Sequence, residues 1–232
     1  MNANDPNVAA LEMVVATLGD LCSELVLVGG CSVGLLISDP ASPPVRETLD
    51  VDLVAEVTTI GEYYTLCEKL KARGFKQSPE DGHMCRWAKD SLKLDVMPSS
   101  NKVLGHSANR WYPDAIMTAG QIALSNGLTV LVVSAPLFLA TKLEAFFDRG
   151  NGDFATSHDI EDIINVVDGR PELVDEVNAA PDTVRAYLRE EFDGLLADGS
   201  FVNAIPMHLR GDAASQARAT LILARLRRIA GL

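Results

Sequence analysis

The sequence of residues 25–32 is Leu25-Val26-Leu27-Val28-Gly29-Gly30-Cys31-Ser32, four apolar residues that run into a pair of glycines. A short apolar run bounded by glycine predicts a buried strand that ends in a tight turn. A short helix is predicted from Cys31 to Ile37. Because glycine allows a close approach of backbone to ligand, Gly29 and Gly30 before a helix form a candidate phosphate cradle. The same Gly-Gly pair also occurs in ordinary tight turns.

Two carboxylates lie in the next predicted strand, which runs from Thr48 to Ala55. Side chains alternate along a strand, so Asp50 and Asp52 are expected on one face. Two carboxylates on one face of an apolar strand repel each other unless a cation lies between them. A hydrated edge strand would explain the pair as well, so the Asp-x-Asp pattern alone leaves both interpretations open.

A third carboxylate, Asp95, lies in a predicted hairpin with strands from Met84 to Ala88 and from Leu92 to Val96. Alternation places Asp95 on the face opposite the apolar residues of its strand. Three carboxylates together with substrate phosphate oxygens form the all-oxygen shell that Mg²⁺ prefers. Two such ions would activate an attacking hydroxyl and a triphosphate. A solvated acid at the end of a strand is the alternative for Asp95.

The remaining pattern divides the chain into a mixed half and a helical half. Helices are predicted from Val8 to Leu21 and from Ile60 to Arg73, and Asn126-Gly127 predicts a second hairpin. Beyond Pro136 the periodicity is helical, with helices expected at about 136–148, 157–167, 183–196 and 213–229. We therefore expect an α+β fold, with an α/β core of residues 1–135 and a helical C-terminal domain of residues 136–232.

Composition limits the partners that the chain can have. A net charge of −12 is unusual for a protein that binds nucleic acid mainly through phosphates. The basic residues near the C-terminus favour a solvated helix face over an RNA groove. These are Arg218, Arg225, Arg227 and Arg228. No apolar run approaches the roughly 20 residues that a membrane-spanning helix needs, so no membrane partner is expected.

Cellular location is predicted from the N-terminus and the cysteines. Met1 to Pro6 lack the basic start and the apolar core of a signal peptide. The four cysteines show no C-x-x-C spacing and lie in apolar stretches, which is typical of reduced core residues. We therefore expect a cytoplasmic protein.

The ordered motifs resemble the nucleotidyltransferase (polymerase-beta-like) superfamily, and more closely its AbiEii/AbiGii toxin-type branch. That branch typically has R-x-T-x-D-h-D after the glycine turn, and the chain has Arg46-Glu47-Thr48-Leu49-Asp50-Val51-Asp52. Two helical motifs follow in the family's order, Lys142-Leu143-Glu144-Ala145-Phe146-Phe147-Asp148-Arg149-Gly150 and His158-Asp159-Ile160-Glu161-Asp162-Ile163. The similarity covers about residues 24–168.

The resemblance and the residue patterns described above together predict roles for residues in both halves. Asp50, Asp52 and Asp95 would hold Mg²⁺ (or Mn²⁺) and would be catalytic together with Lys142 and Asp159. The nucleotide would contact Gly29, Gly30, Ser32, Arg46, Thr48, Lys142, Arg149 and Asp162. Asp162 is the second candidate for the late acidic position that Asp159 is expected to fill. The catalytic cleft would then lie between the two halves.

Each helical residue also has an ordinary structural interpretation. The stem of Lys142 could lie along the core while its ammonium reaches water. Asp159 could cap a helix at its positive end. Arg149 could form an ion pair with Asp153. These alternatives stay open on the sequence alone.

The function implied by the resemblance is transfer of a nucleoside monophosphate from a nucleoside triphosphate to an acceptor, with release of pyrophosphate. RNA such as tRNA, or a protein, is a candidate acceptor. The branch implies a toxin of a type IV toxin–antitoxin or abortive-infection system, with a cognate antitoxin as partner. The alternatives are a small-molecule (antibiotic-type) nucleotidyltransferase, a degenerate member that only binds nucleotide or a partner, and a glycosyltransferase that uses Asp-x-Asp.

Overall fold

A computed structural model describes residues 5–78, 84–103 and 108–232. Met1 to Asn4, part of the segment from which the cellular location was predicted, lie outside the described residues. Two compact units make up the described chain. The α/β unit contains the described part of residues 2–35 and 44–134, and the helical unit contains Leu36–Pro43 and Ala135–Leu232. The domain limits 1–135 and 136–232 stay predictions.

A mixed sheet of seven strands forms the centre of the α/β unit. The strands are β1 (Leu25–Leu27), β2 (Val51–Ala55), β3 (Lys76–Gln77), β4 (Arg86–Lys89), β5 (Leu92–Pro98), β6 (Gly120–Ala123) and β7 (Thr129–Val132). They are ordered β3-β4-β5-β2-β1-β7-β6. The pairs β1–β7 and β2–β5 are parallel and the other neighbours are antiparallel. The sheet, with its helices, confirms the predicted α+β class.

Four α-helices belong to the α/β unit in its described part, except that the last residue of the second, Leu36, falls in the helical unit. They are α1 (Val8–Leu18), α2 (Val33–Leu36), α3 (Ile60–Ala72) and α4 (Tyr112–Met117). A capping box formed by Thr59 and Glu62 starts α3, and Gly74 follows its end with a φ of +86°. Helix α1 is shorter than predicted because Gly19 leaves helical geometry with a φ of +59°, and a 3-10 turn continues to Glu24.

Strand β2 also starts later than predicted. Pairing begins at Val51, so Asp50 lies just before the strand and Asp52 lies within it. The backbone N–H of Thr48 donates to Asn7 Oδ1 (2.8 Å). This N–H is therefore not available for a hydrogen bond to a neighbouring strand, which a longer β2 would need.

The helical unit contains six further α-helices in the described chain. They are α5 (Ala135–Arg149), α6 (His158–Gly169), α7 (Leu173–Ala179), α8 (Asp182–Ala197), α9 (Gly199–Ala204) and α10 (Ala213–Ala230). The predicted helices correspond to α5, α6, α8 and α10, whereas the short helices α7 and α9 were not predicted. Ser157 caps α6 and Asp212 caps α10 through side-chain oxygens that accept backbone N–H groups. Among residues 5–78, 84–103 and 108–232, no helix has both the length and the apolar character that crossing a bilayer requires.

Two of the C-terminal arginines stabilise the end of α6. Arg218 Nε donates to both carboxylate oxygens of Asp168 (2.8 and 2.7 Å), and Arg225 donates to the carbonyls of Val167 (2.8 Å) and Asp168 (2.5 Å). Cations at a helix C-terminus satisfy its last carbonyls and oppose its dipole. The prediction of a solvated basic face is therefore wrong for Arg218 and Arg225.

The segment Leu36–Pro43 packs on the same end of α6. The carbonyl of Gly169 accepts the backbone N–H groups of Ser38 (3.0 Å) and Asp39 (2.9 Å). Arg170 donates to the carbonyl of Leu36 (2.5 Å), and Arg218 reaches the Asp39 carboxylate (3.2 Å). Residues 36–43, which include Pro40 and Pro43, are thus part of the helical unit.

Alanine at Gly169 is expected to lower the free energy of unfolding by about 1–3 kcal/mol, the usual cost of overpacking. The added Cβ would lie 2.8 Å from Ile37 Cγ1 and 2.9 Å from Ser42 Oγ. Gly194, in the last turn of α8, is the matched control because nothing lies within 4 Å of its Cβ position. Gly194→Ala is expected to stabilise by up to about 1 kcal/mol. Urea unfolding of both variants measures the difference, and equal effects would contradict the predicted clash.

Candidate functional site

The glycine turn lies directly against Asp52. Pairing of β1 with β2 places Leu27 opposite Leu53, and the N–H of Val28 donates to the carbonyl of Asp52 (3.0 Å). Gly29 follows with a φ of +66°, a conformation that side chains other than glycine rarely adopt. A Cβ on Gly29 would lie 1.9 Å from Asp52 Oδ2. Glycine is therefore required at residue 29 both by backbone conformation and by the neighbouring carboxylate.

Ser32 closes the same turn. Its Oγ donates to the carbonyl of Gly29 (2.8 Å), and the side chain is fully buried. Helix α2, which follows, is a single turn of four residues. Because so short a helix has few aligned peptide dipoles, its macrodipole is small, and any attraction of phosphate would depend on individual N–H groups. The predicted contact between Ser32 and phosphate stays a prediction.

Asn7 holds the segment that leads into the two aspartates, and the sequence reasoning missed it. Its Nδ2 donates to the carbonyl of Arg46 (3.0 Å), and its Oδ1 accepts from the N–H (2.8 Å) and the hydroxyl (3.2 Å) of Thr48. Asn7 is buried, so these bonds are shielded from water. Residues 46–48 are thereby fixed two residues before Asp50.

Asp50 and Asp95 are joined by Arg86, a second residue that the sequence reasoning missed. Arg86 Nε donates to Asp95 Oδ1 (2.8 Å), and its Nη2 donates to Asp95 Oδ2 (2.7 Å) and Asp50 Oδ2 (3.2 Å). The predicted hairpin, with one strand ending at Ala88 and the next starting at Leu92, would have paired Arg86 with Leu94. The structure instead has a two-residue turn that pairs Lys89 with Leu92, and this register pairs Arg86 with Asp95.

The third carboxylate is beside the second, as expected from the fold. Strands β2 and β5 are parallel neighbours, and Asp52 is the register partner of Asp95. Arg86, Asp95 and Asp52 thus follow one another across β4, β5 and β2. The structure brings together all three carboxylates that the sequence singled out in the α/β unit.

The carboxylates generate a negative potential that also acts on a buried cysteine. Burial raises the pKa of Cys31 to about 12, and the charges of Asp5, Asp52 and Asp50 contribute to the rise. The Cys31 thiol is therefore protonated at neutral pH, and it is not a thiolate nucleophile. All four cysteines are free thiols, with Cys85 half-buried and the others buried.

Asp5 is a further acid of this region that the sequence reasoning missed. Its side chain is 8% exposed, and among the described residues Oδ2 has no hydrogen-bond partner. Oδ1 accepts from the N–H of Asn7 (2.9 Å), and burial raises the pKa of the carboxyl. A Cβ on Gly34 would lie 1.8 Å from Asp5 Oδ2, so Gly34 is needed for this packing.

The carboxylates fit a hard divalent cation in part. Their oxygens are the donors that Mg²⁺ and Mn²⁺ prefer. In the described chain, however, no group of three or more His, Cys, Asp or Glu residues is arranged to hold a metal ion. Arg86 engages both oxygens of Asp95 and Oδ2 of Asp50, so these two carboxylates are already partly neutralised.

A second cluster of predicted site residues lies in the helical unit. Lys142 Nζ, from α5, contacts Asp159 Oδ1 (3.0 Å) and Asp162 Oδ2 (2.6 Å), both from α6. Arg149 reaches both oxygens of Asp159 (3.1 Å each). Lys142 is only 6% exposed, Asp159 5% and Asp162 1%, whereas 69% of the Arg149 side chain is exposed. Two cations therefore neutralise two buried acids.

The contacts of this cluster test the structural interpretations of Lys142 and Asp159 that the sequence left open. The ammonium of Lys142 is buried, so the interpretation in which it reaches water is wrong. Ser157, not Asp159, caps α6 by accepting from the N–H of Ile160 (3.4 Å). Burial alone would raise the pKa of Asp159, but Lys142 and Arg149 outweigh it and hold that pKa below its usual value.

The predicted site residues thus form two groups, each within one unit. In the first, Asp52 lies against Gly29 and beside Asp95, which Arg86 joins to Asp50. In the second, Lys142 contacts Asp159 and Asp162, and Arg149 contacts Asp159. The catalytic and nucleotide-binding roles of these residues stay predictions, and so does the cleft between the two halves.

Comparison with known proteins leaves the family open. No protein-family model matches the chain. No curated protein matches it either. Among solved structures, the chain is similar to the antibiotic-resistance factor ANT(2'')-Ia, with 15% identity over 82% of this chain and 95% of that chain and a TM-score of 0.48. A likeness this distant assigns neither a family nor an activity.

Proposed function

We propose that the chain is a metal-dependent nucleotidyltransferase that moves a nucleoside monophosphate from a nucleoside triphosphate to an acceptor. The observation that carries the proposal is the packing of the Gly29 turn against Asp52, with Asp50 and Asp95 alongside. Backbone that can approach a ligand and carboxylates that can hold a cation are the two elements that a metal–triphosphate complex needs. Both arise here from adjacent strands of one sheet.

The reaction in this proposal is an in-line displacement. An acceptor oxygen forms a bond to the α-phosphorus, and the bond from that phosphorus to the oxygen bridging the α- and β-phosphates breaks. Pyrophosphate leaves with the electron pair, and the acceptor proton passes to water. Bound Mg²⁺ or Mn²⁺ would supply charge stabilisation for the triphosphate. Asp50 and Asp52 would hold the ion, and Gly29 keeps the backbone beside Asp52 free of side-chain bulk.

The helical cluster has a different role in this proposal from the one that the resemblance implies. Lys142 is buried between Asp159 and Asp162, so its contribution is to keep those acids charged and in place. Arg149 is the exposed member, and its planar guanidinium is suited to phosphate. We therefore assign the phosphate contact to Arg149 and a positioning role to Lys142.

Transfer of label from each α-³²P nucleoside triphosphate, with Mg²⁺, total tRNA and cell extract, tests the proposal. The wild-type chain should label an acceptor, and Asp52→Asn should lower the rate at least about 100-fold because one metal-holding charge is lost. Asp90→Asn is the matched control, since Asp90 lies in the exposed β4–β5 turn with a φ of +53°, which asparagine tolerates.

Two outcomes would overturn the proposal. One is a wild-type chain that transfers no label and binds no triphosphate. The other is triphosphate binding that is independent of Mg²⁺ and unchanged in Asp52→Asn, which would indicate a protein that only binds nucleotide.

A toxin is the biological role that we propose for this activity, with RNA or protein as acceptor and a cognate antitoxin as partner. It is supported by the ordered motifs from Gly29 to Asp162 that resemble the toxin-type branch. Induction in the native host should arrest growth, and Asp50→Ala should relieve the arrest. Normal growth on induction of the active wild-type chain would contradict the toxin role but not the transferase activity.

A further inference from the structure

The side-chain amide of Asn7 makes the two hydrogen bonds that a residue of a neighbouring strand would make. Its Nδ2 donates to the carbonyl of Arg46 (3.0 Å), and its Oδ1 accepts from the N–H of Thr48 (2.8 Å). In a parallel ladder, one residue bonds in the same way to the carbonyl before its partner and to the N–H after it. Asn7 therefore pairs with the backbone on both sides of Glu47, although residues 46–48 belong to no strand of the described sheet.

The backbone of Asn7 is itself held in place. Its N–H donates to Asp5 Oδ1 (2.9 Å), and its carbonyl accepts from the N–H of Leu11 near the start of α1 (3.0 Å). Asn7 is 2% exposed, so water does not compete for the hydrogen bonds of its amide. The amide is thus a fixed reference point for the segment that it contacts.

Asp50 lies between this contact and the start of β2. Leu49 and Asp50 form a bend that directly follows Thr48. On the other side of the bend, Val51 begins β2 and is the register partner of Leu94 in β5. The backbone of Asp50 is therefore held at both ends of a two-residue bend, by Asn7 before it and by the sheet after it.

We propose that Asn7 is a positioning residue of the transferase site, whose amide takes the place of a strand and sets the backbone position from which Asp50 acts. This inference rests on the proposed function, because it concerns the placement of a carboxylate that the transfer uses. Asn7 is buried, so it acts through residues 46–48 and not by contact with substrate. Loss of its amide frees one end of the bend and lets Asp50 move.

Asn7→Ala tests the inference by two measurements. The first is hydrogen exchange of residues 46–50, measured by mass spectrometry of their peptides. Exchange should become about 10-fold faster because the Thr48 N–H loses its buried acceptor, while peptides from β5 stay protected. The second is kcat in label transfer, under conditions in which circular dichroism shows the variant to be folded. It should fall about 100-fold, the usual effect of a shift of about 1 Å in a catalytic group.

Asn126→Ala is the matched control. Asn126 Oδ1 also accepts a backbone N–H, that of Leu128 (2.9 Å), but in the exposed turn between β6 and β7. Its substitution should leave both the exchange of residues 46–50 and kcat as in the wild type. A residue with a merely structural role would lower the urea midpoint and leave the kcat of the folded protein unchanged, so kcat distinguishes the two roles.

A folded Asn7→Ala variant with wild-type kcat, or with unchanged exchange of residues 46–50, would overturn the inference. If Asn7→Ala fails to fold, Asn7→Asp decides, because it keeps an oxygen for Thr48 and loses the donor to Arg46. It should show faster exchange and a lower kcat, and wild-type values of either contradict the assignment. A wild-type chain that transfers no label overturns the proposed function and the inference together, whereas an active wild type with an equally active Asn7 variant overturns the inference alone.

Discussion

Replacement of Lys142 by methionine is expected to lower the free energy of unfolding by about 3–5 kcal/mol, the usual cost of removing one partner from a buried ion pair. Methionine keeps most of the apolar stem, so the change removes mainly the ammonium. That group lies 3.0 Å from Asp159 Oδ1 and 2.6 Å from Asp162 Oδ2. Because both acids are almost fully buried, water cannot replace the lost charge without opening the contact between α5 and α6.

Lys69→Met is the matched control for this substitution. Lys69 also contacts a carboxylate, Glu24, at 2.6 Å, but the two side chains are 40% and 55% exposed. An exposed pair of this kind contributes at most about 1 kcal/mol. Urea unfolding of both variants at neutral pH gives the comparison. A loss below about 1 kcal/mol for Lys142→Met would contradict the assignment, since Arg149 alone would then be enough to neutralise the acids.

Local sequence patterns were sufficient to predict most of the helices and strands of the fold. The Asn126-Gly127 turn predicts the hairpin of β6 and β7, and Gly127 has the positive φ of +83° that such a turn needs. The apolar face of α6 likewise predicts a buried helix, and Ile160, Ile163 and Ile164 are fully buried. These features depend on neighbours within a few residues, and periodicity detects them directly.

Contacts between distant residues could not be predicted in the same way. Asn7 and Thr48 are 41 residues apart, and no local pattern indicates that the one orders the other. The buried environment of Lys142 depends on how α5 packs on α6, which periodicity does not determine. Arg86 is intermediate, because the hairpin that contains it was predicted, but the predicted register is one residue off and pairs Arg86 with Leu94 instead of Asp95.

The carboxylates were found from sequence because their chemistry is unusual where they lie. Asp52 interrupts the apolar strand β2 and Asp50 lies just before it, and acids in such places need a cation. The sequence indicates that need but not how it is met. The structure shows that Arg86 meets part of it, through Asp50 and Asp95.

Alanine at Gly29 is expected to lower the free energy of unfolding by about 2–6 kcal/mol. The estimate combines a strained backbone, which costs about 1–3 kcal/mol for a residue other than glycine, with overpacking, which costs about as much again. The φ of Gly29 is +66°, and the new Cβ would lie 1.9 Å from Asp52 Oδ2 and 2.7 Å from Asp52 Cβ. Because Asp52 Cβ is also too close, rotating the carboxylate cannot relieve the overlap, and the two strands must separate locally.

Gly19→Ala separates the two contributions. Gly19 has a similar backbone, with a φ of +59° and a ψ of −131° against +66° and −166° at Gly29, and nothing lies within 4 Å of its Cβ position. Its substitution should therefore cost only the backbone strain, about 1–3 kcal/mol. Urea unfolding of both variants measures this difference in stability.

Label transfer by the same two variants tests whether Asp52 must stay in place for activity. A shift of about 1 Å in a catalytic group lowers rates about 100-fold, so Gly29→Ala should lose transfer activity where Gly19→Ala keeps it. Equal activity in the two variants would show that Asp52 need not be held against the turn, and the metal role of Asp52 would then lose its structural support.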